Sequence, residues 1–112
     1  MAGKTVEIST GSAVVTLINT FTVAPEKQEE LVTLLIKATE EVMRQQPGFI
    51  SASIHKSLDG TRVANYAQWQ SREHFEAMLK NEEARAHTTA AAKMALSFEP
   101  LLYHVESVHK AL

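Results

Sequence analysis

The chain has no cysteine. Disulfides, thiolate-ligated metals and a cysteine nucleophile are therefore excluded. No apolar run approaches the length needed to cross a bilayer, and the N-terminus lacks the apolar core of a signal peptide, so the cytoplasm is the expected location. A dominant charge is missing too. Eleven basic residues stand against 13 acidic ones, and a net charge of -2 offers no general attraction to nucleic acid or anionic membranes. Glycine is scarce, four in 112 residues, and neither a glycine-rich phosphate loop nor a nucleophile elbow is found. His55, His74, His104 and His109 lack the spacing of a metal site. What remains as a partner is a small, neutral or weakly charged molecule.

What is present is one domain's worth of patterned chain. Residues 1–12 are polar and without period, the composition of a flexible lead-in, and residues 13–112 carry the domain. From 13 to 23 the chain alternates, with Val15, Leu17, Asn19, Phe21 and Val23 on one face of a strand and Val14, Thr16, Ile18, Thr20 and Thr22 on the other. Ala24-Pro25-Glu26 opens a helix whose stripe is Leu31, Leu34, Leu35, Ala38 and Val42, and Gln46-Pro47-Gly48 ends it. A second strand spans 49–57, Asp59-Gly60 is a hairpin turn, and a third strand spans 62–70. Ser71 caps a helix with Phe75, Met78 and Leu79 inward; after Lys80-Asn81 a further helical stretch aligns Ala84, His87, Ala91 and Met94. Pro100 interrupts, and 101–108 alternates as strand four.

The order strand, helix, strand, strand, helix, strand predicts an α+β, ferredoxin-like split βαβ fold: one antiparallel sheet with helices on one face. The other face would leave Val14, Ile18 and Tyr66 toward water, which favours a homodimer built face to face.

Val63, Asn65, Ala67 and Trp69 share one face of strand three, so an amide and an indole sit among small apolar neighbours. A two-residue turn at Asp59-Gly60 would place Ile54 opposite Asn65, Ala52 opposite Ala67 and Ile50 opposite Trp69. A three-residue turn would instead bring Ser51 and Ser53 alongside Asn65. In this fold strands one and three are central neighbours, so Asn19 and Asn65 can face one space beneath the helices. Two amides and an indole in a greasy region describe a ligand site.

Pro47-Gly48-Phe49 opening strand two, Asp59-Gly60-Thr61 in the turn, and Asn65-Tyr66-Ala67-Gln68-Trp69 leading into Ser71 together resemble the antibiotic biosynthesis monooxygenase family. Within it, the similarity is to the small cofactor-independent monooxygenases of aromatic polyketide pathways. The resemblance implies a dimeric α+β barrel with substrate between sheet and helices of each subunit. It assigns to Asn65 and Trp69 the holding of substrate and assistance in its oxidation by molecular oxygen, and it makes Asn19 a functional residue of strand one. Phe21, Phe75 and Met78 join Asn19 as expected substrate contacts. Departures are visible as well. Phe75 stands where the closest group has a tyrosine, and the arginine further along the helical segment has no clear match, although Arg85 lies nearby. Heme-degrading relatives carry a tryptophan on the helix and a heme-binding histidine after it; Met78 and, only approximately, His87 stand there, so heme is disfavoured.

An oxygenase without a cofactor needs an electron-rich substrate, an anthrone or quinol whose deprotonated form reacts with oxygen. The protein then supplies orientation, exclusion of water and hydrogen bonds to the developing oxyanion. Asn65 and Asn19 can donate through their amides, Trp69 offers a flat face and an N–H, and His87 is the nearest candidate base. Each residue also has a plainer role open to it. A tryptophan on a buried strand is ordinarily core, backbone groups can satisfy an amide, and a histidine on an alanine stripe is more often packing. A non-catalytic ligand-binding or pathway accessory protein is the alternative from another class, and Phe75 in place of a phenol leans toward it.

Overall fold

The alternating stretch after Ala13 forms β1 (Val15–Thr22), and its apolar face is buried as the pattern predicts. The computed structural model describes residues 4–112; residues 1–3 of the lead-in lie outside the described residues. A 3-10 turn at Pro25–Lys27 leads into α1 (Gln28–Glu41), which buries Leu31, Leu35 and Ala38. Then follow β2 (Phe49–Lys56), β3 (Arg62–Trp69), α2 (Arg72–Lys80), α3 (Glu82–Met94) and β4 (Ser97–Tyr103). The four strands make one antiparallel sheet in the order β2-β3-β1-β4, the ferredoxin-like arrangement. Two short caps divide the helical half: Ser71 Oγ accepts from His74 N–H at 3.1 Å, and Asn81 Oδ1 accepts from Ala84 N–H at 3.0 Å.

The β2–β3 hairpin keeps most of the register expected for a two-residue turn. Ile54 pairs with Asn65 and Ala52 with Ala67. The tip is wider, however: Ser57 N–H closes the ladder onto the Arg62 carbonyl, and residues 58–61 reverse the chain with Gly60 at φ +80°. Asp59 Oδ1 organises this loop by accepting from Ser57 Oγ, Thr61 N–H and Thr61 Oγ1 at 2.7, 3.0 and 2.7 Å. At the other end of the hairpin the register shifts between Phe49 and Ser51. This β-bulge puts Phe49, and not Ile50, opposite Trp69, and Ile50 is left 43% exposed.

Three further expectations are corrected. Strand four begins at Ser97 and runs through Pro100. An edge strand tolerates proline, because alternate N–H groups there face away from the neighbour. Leu79 is inward only in part: it stays 41% exposed at the edge of the stripe on which Met78 is buried. The second face of the sheet is not simply open. Thr16 and Gln68 are buried on it, Val14, Ile18 and Tyr66 are half-buried, and Gln68 Nε2 donates to the Glu7 carbonyl at 2.8 Å.

Candidate active site

Along β1 and β3 the helix-facing side is apolar at both ends and polar in the middle. Val15, Leu17, Ala67 and Trp69 join Val42, Met78 and Ala84 in one core cluster. Phe21, Val23 and Val63 join Leu31, Leu35 and Ala91 in another. Between them lies a single rung in which Asn19 pairs with Asn65. The core is interrupted where the two asparagines meet.

A cavity of about 550 Å³ opens at this interruption, between the sheet and the three helices. Alanines make the room: Ala38 from α1, Ala52 and Ala67 from the sheet, Ala91 and Ala92 from α3. All seven residues singled out from the sequence line it, namely Asn19, Phe21, Asn65, Trp69, Phe75, Met78 and His87. Arg85 is exposed and does not. Phe49, Phe98 and Thr39 also contribute, and the sequence analysis missed them. The bulge hid Phe49, the misplaced start of β4 hid Phe98, and nothing in the pattern of α1 distinguishes Thr39 from a surface threonine.

Three polar atoms of this cavity are unusual in being left without partners. Asn19 Oδ1, Asn65 Oδ1 and Trp69 Nε1 are buried and make no hydrogen bond among the described residues. Buried polar atoms are nearly always paired, and leaving one unmade costs roughly 1–3 kcal/mol. Three such atoms around one cavity are what a site awaiting a hydrogen-bonding ligand shows. Thr16 Oγ1 is also unpaired, but it sits on the opposite face.

Trp69 is 2% exposed and makes edge contacts with two phenyl rings. Phe49 meets it edge-on with centroids 5.5 Å apart and planes at 87°, and Phe75 at 6.1 Å and 69°. His87, half-buried on α3, is the one imidazole among the lining residues. No Asp, Glu, Lys or Arg lines the cavity. Whatever part of a ligand enters it must be uncharged or carry a charge dispersed over a ring system, because a localised ion would lose its hydration without gaining a counter-ion. Among the described residues no group of three or more His, Asp or Glu is placed to hold a metal. None of the helices there is long and apolar enough to cross a membrane.

Known proteins share this architecture. The family model described as antibiotic biosynthesis monooxygenase matches residues 14–90. The tetracenomycin-F1 monooxygenase of Streptomyces glaucescens is 48% identical over 80 residues, which cover 71% of either chain. Among solved structures, a monooxygenase from the gene ActVA-Orf6 of Streptomyces coelicolor, in complex with nanaomycin D, superposes with a TM-score of 0.73 at 27% identity, over 90% of this chain and 94% of that one. SnoaB of Streptomyces nogalater, described as a cofactor-independent oxygenase, has the same fold, with a TM-score of 0.72 at 24% identity over 87% of this chain and 97% of that one.

Proposed function

The chain belongs to the antibiotic biosynthesis monooxygenase family, and we propose that it is a cofactor-independent monooxygenase acting on a polycyclic, anthrone- or quinol-like substrate with molecular oxygen. The observation that carries this reading is the set of unpartnered groups, Asn19 Oδ1, Asn65 Oδ1 and Trp69 Nε1, around an apolar cavity without formal charge. The relative named for tetracenomycin F1 and the neighbour solved with nanaomycin D support it independently.

Geometry narrows the substrate. Asn65 and Trp69 are four residues apart on one face of β3, about 13 Å between Cα positions along an extended strand. A single ring cannot touch both, whereas a fused polycycle laid along the strand can. The ring then lies against the Trp69 indole while an oxygen function reaches the amide pair Asn19–Asn65. Phe21, Phe75 and Met78 supply apolar contacts.

The substrate supplies the electrons. Removal of a benzylic or phenolic proton, with His87 as the candidate acceptor, gives an electron-rich anion whose charge is spread over the ring system and its oxygen. Asn65 carries an N–H beside its unpartnered Oδ1, and that N–H, donated to the developing anion, would stabilise it more strongly in a dry cavity than in water. Singlet anion and triplet oxygen cannot combine in one spin-allowed step, so one electron passes first, and the two radicals then join as a carbon-bound peroxide. For an anthrone, O–O cleavage with loss of the remaining C–H proton leaves the new carbonyl and releases one water, which accounts for both oxygen atoms. The same proposal includes a homodimer in the cytoplasm.

Oxygen consumption by chelator-treated protein with an anthrone as substrate tests this directly. One molecule of oxygen should disappear per quinone formed, with no added flavin, nicotinamide or metal. Activity that appears only after one of these is restored sinks the proposal.

A further inference from the structure

We propose that Phe49 is a positioning residue for the reaction, carried onto the cavity wall by the β-bulge at the start of β2 to set the plane of the Trp69 indole. Had the hairpin kept its register to the end, Ile50 would face Trp69. The shift between Phe49 and Ser51 replaces a flexible aliphatic chain with a rigid ring, and that ring stands at 87° to the indole, 5.5 Å away between centroids. An edge-to-face contact of this kind is directional: the electropositive rim of one ring meets the electron-rich face of the other, and a tilted indole loses it. Phe75 approaches from α2 at 69°, so the indole meets phenyl rings from two different elements.

The bulge itself is anchored. Gly48 has φ +83°, a conformation L side chains rarely adopt, and a Cβ there would overlap the His74 ring. The Gly48 carbonyl accepts from Gln70 N–H at 2.8 Å, and the His74 ring is hydrogen-bonded through Nδ1 to Ser71 Oγ at 2.7 Å. The bulge, the end of β3 and the cap of α2 are thus fastened together around Trp69. Bulges of this kind re-aim side chains beside functional sites.

The inference rests on Trp69 as a substrate-contacting residue, and its test separates the two. Trp69 is the chain's one tryptophan, so indole emission and near-ultraviolet dichroism report on its setting whether or not turnover occurs. Phe49→Met keeps volume and apolarity but loses the ring edge. It should shift the emission and weaken the dichroism, lower kcat about tenfold or more, and leave KM within about threefold, because misplacement of a contact penalises the reacting geometry more than capture. Phe49→Tyr should restore both readouts. Ile50→Thr, in the same bulge but facing away, should change neither.

An unchanged spectrum and kcat in Phe49→Met overturns the inference, and so does a fall in kcat with an unchanged spectrum. Phe49→Leu replaces it if the methionine variant does not fold, and loss of folding in both makes Phe49 a core residue and refutes the positioning role. Wild-type protein that oxidises no anthrone defeats the proposed function alone, since the emission still reads the Phe49–Trp69 contact.

Discussion

Asn65 has a side chain with nothing to hold. Its Oδ1 is buried without a partner, so replacing it by alanine removes no hydrogen bond from the folded protein and relieves an unmet desolvation cost. Asn65→Ala should therefore match or exceed the wild type in thermal stability while turnover falls by at least tenfold, within the roughly 2–4 kcal/mol that an oxyanion donor contributes. Calorimetry beside oxygen uptake checks both halves. A variant that melts well below the wild type would make Asn65 structural. Trp69→Phe differs, because the indole fills the core: a loss of about 1–3 kcal/mol in stability is expected from the void, together with a larger effect on kcat than on KM. The identity of these residues was legible in the sequence, since an amide and an indole on an apolar strand face are out of place. Phe49 was not, because its facing depends on one extra residue in the ladder, and an alternating pattern does not show where a bulge falls.

Among the elements, the β2–β3 hairpin matters most, since its register decides what faces Asn65. Parity explains why a wider tip still delivered most of the expected pairs: closing the ladder at Ser57 and Arg62 preserves the same opposition as a two-residue turn at Asp59-Gly60. The tip should leave a signature in acid. Hydrogen bonds from Thr61 and Ser57 hold the Asp59 carboxyl down at about 2, below its ordinary 3.8. A folded-state pKa below the unfolded one gives stability that is full above pH 3.8 and is lost as pH falls through about 2. The difference in melting temperature between wild type and Asp59→Asn should accordingly be constant near neutrality and shrink below about pH 4. A difference that does not change down to pH 2 would mean that the carboxylate does not organise the loop. The helices were read correctly in existence and largely in facing: α2 and α3 separate at Asn81 as its capping chemistry predicts, while Leu79 stays partly exposed at the cavity's edge.

At the scale of the whole molecule, the sheet leaves apolar groups exposed. Leu96, Phe98, Leu101 and Tyr103 on and beside β4 are all more than 40% exposed, and Phe98 lines the cavity as well. A second copy packed over β4 would bury these side chains and narrow the mouth of the site. Light scattering at micromolar concentration should give twice the 12.4 kDa chain mass, and Leu101→Glu should shift it toward the monomer. A wild-type monomer at every concentration would remove the dimer from the proposal.

By itself the sequence determined the order of the elements, the ferredoxin-like class, the buried face of β1 and β3 and the misfit of Asn19, Asn65 and Trp69. These follow from period and composition, which are local. Only the tertiary structure decided that the two asparagines form one rung between two separate core clusters, that Phe49 displaces Ile50 beside the indole, that β4 runs through Pro100, and that a cavity remains where the core divides. Registers, bulges and voids are set by how distant segments meet, and the free energy of each choice is shared among residues that no local pattern connects.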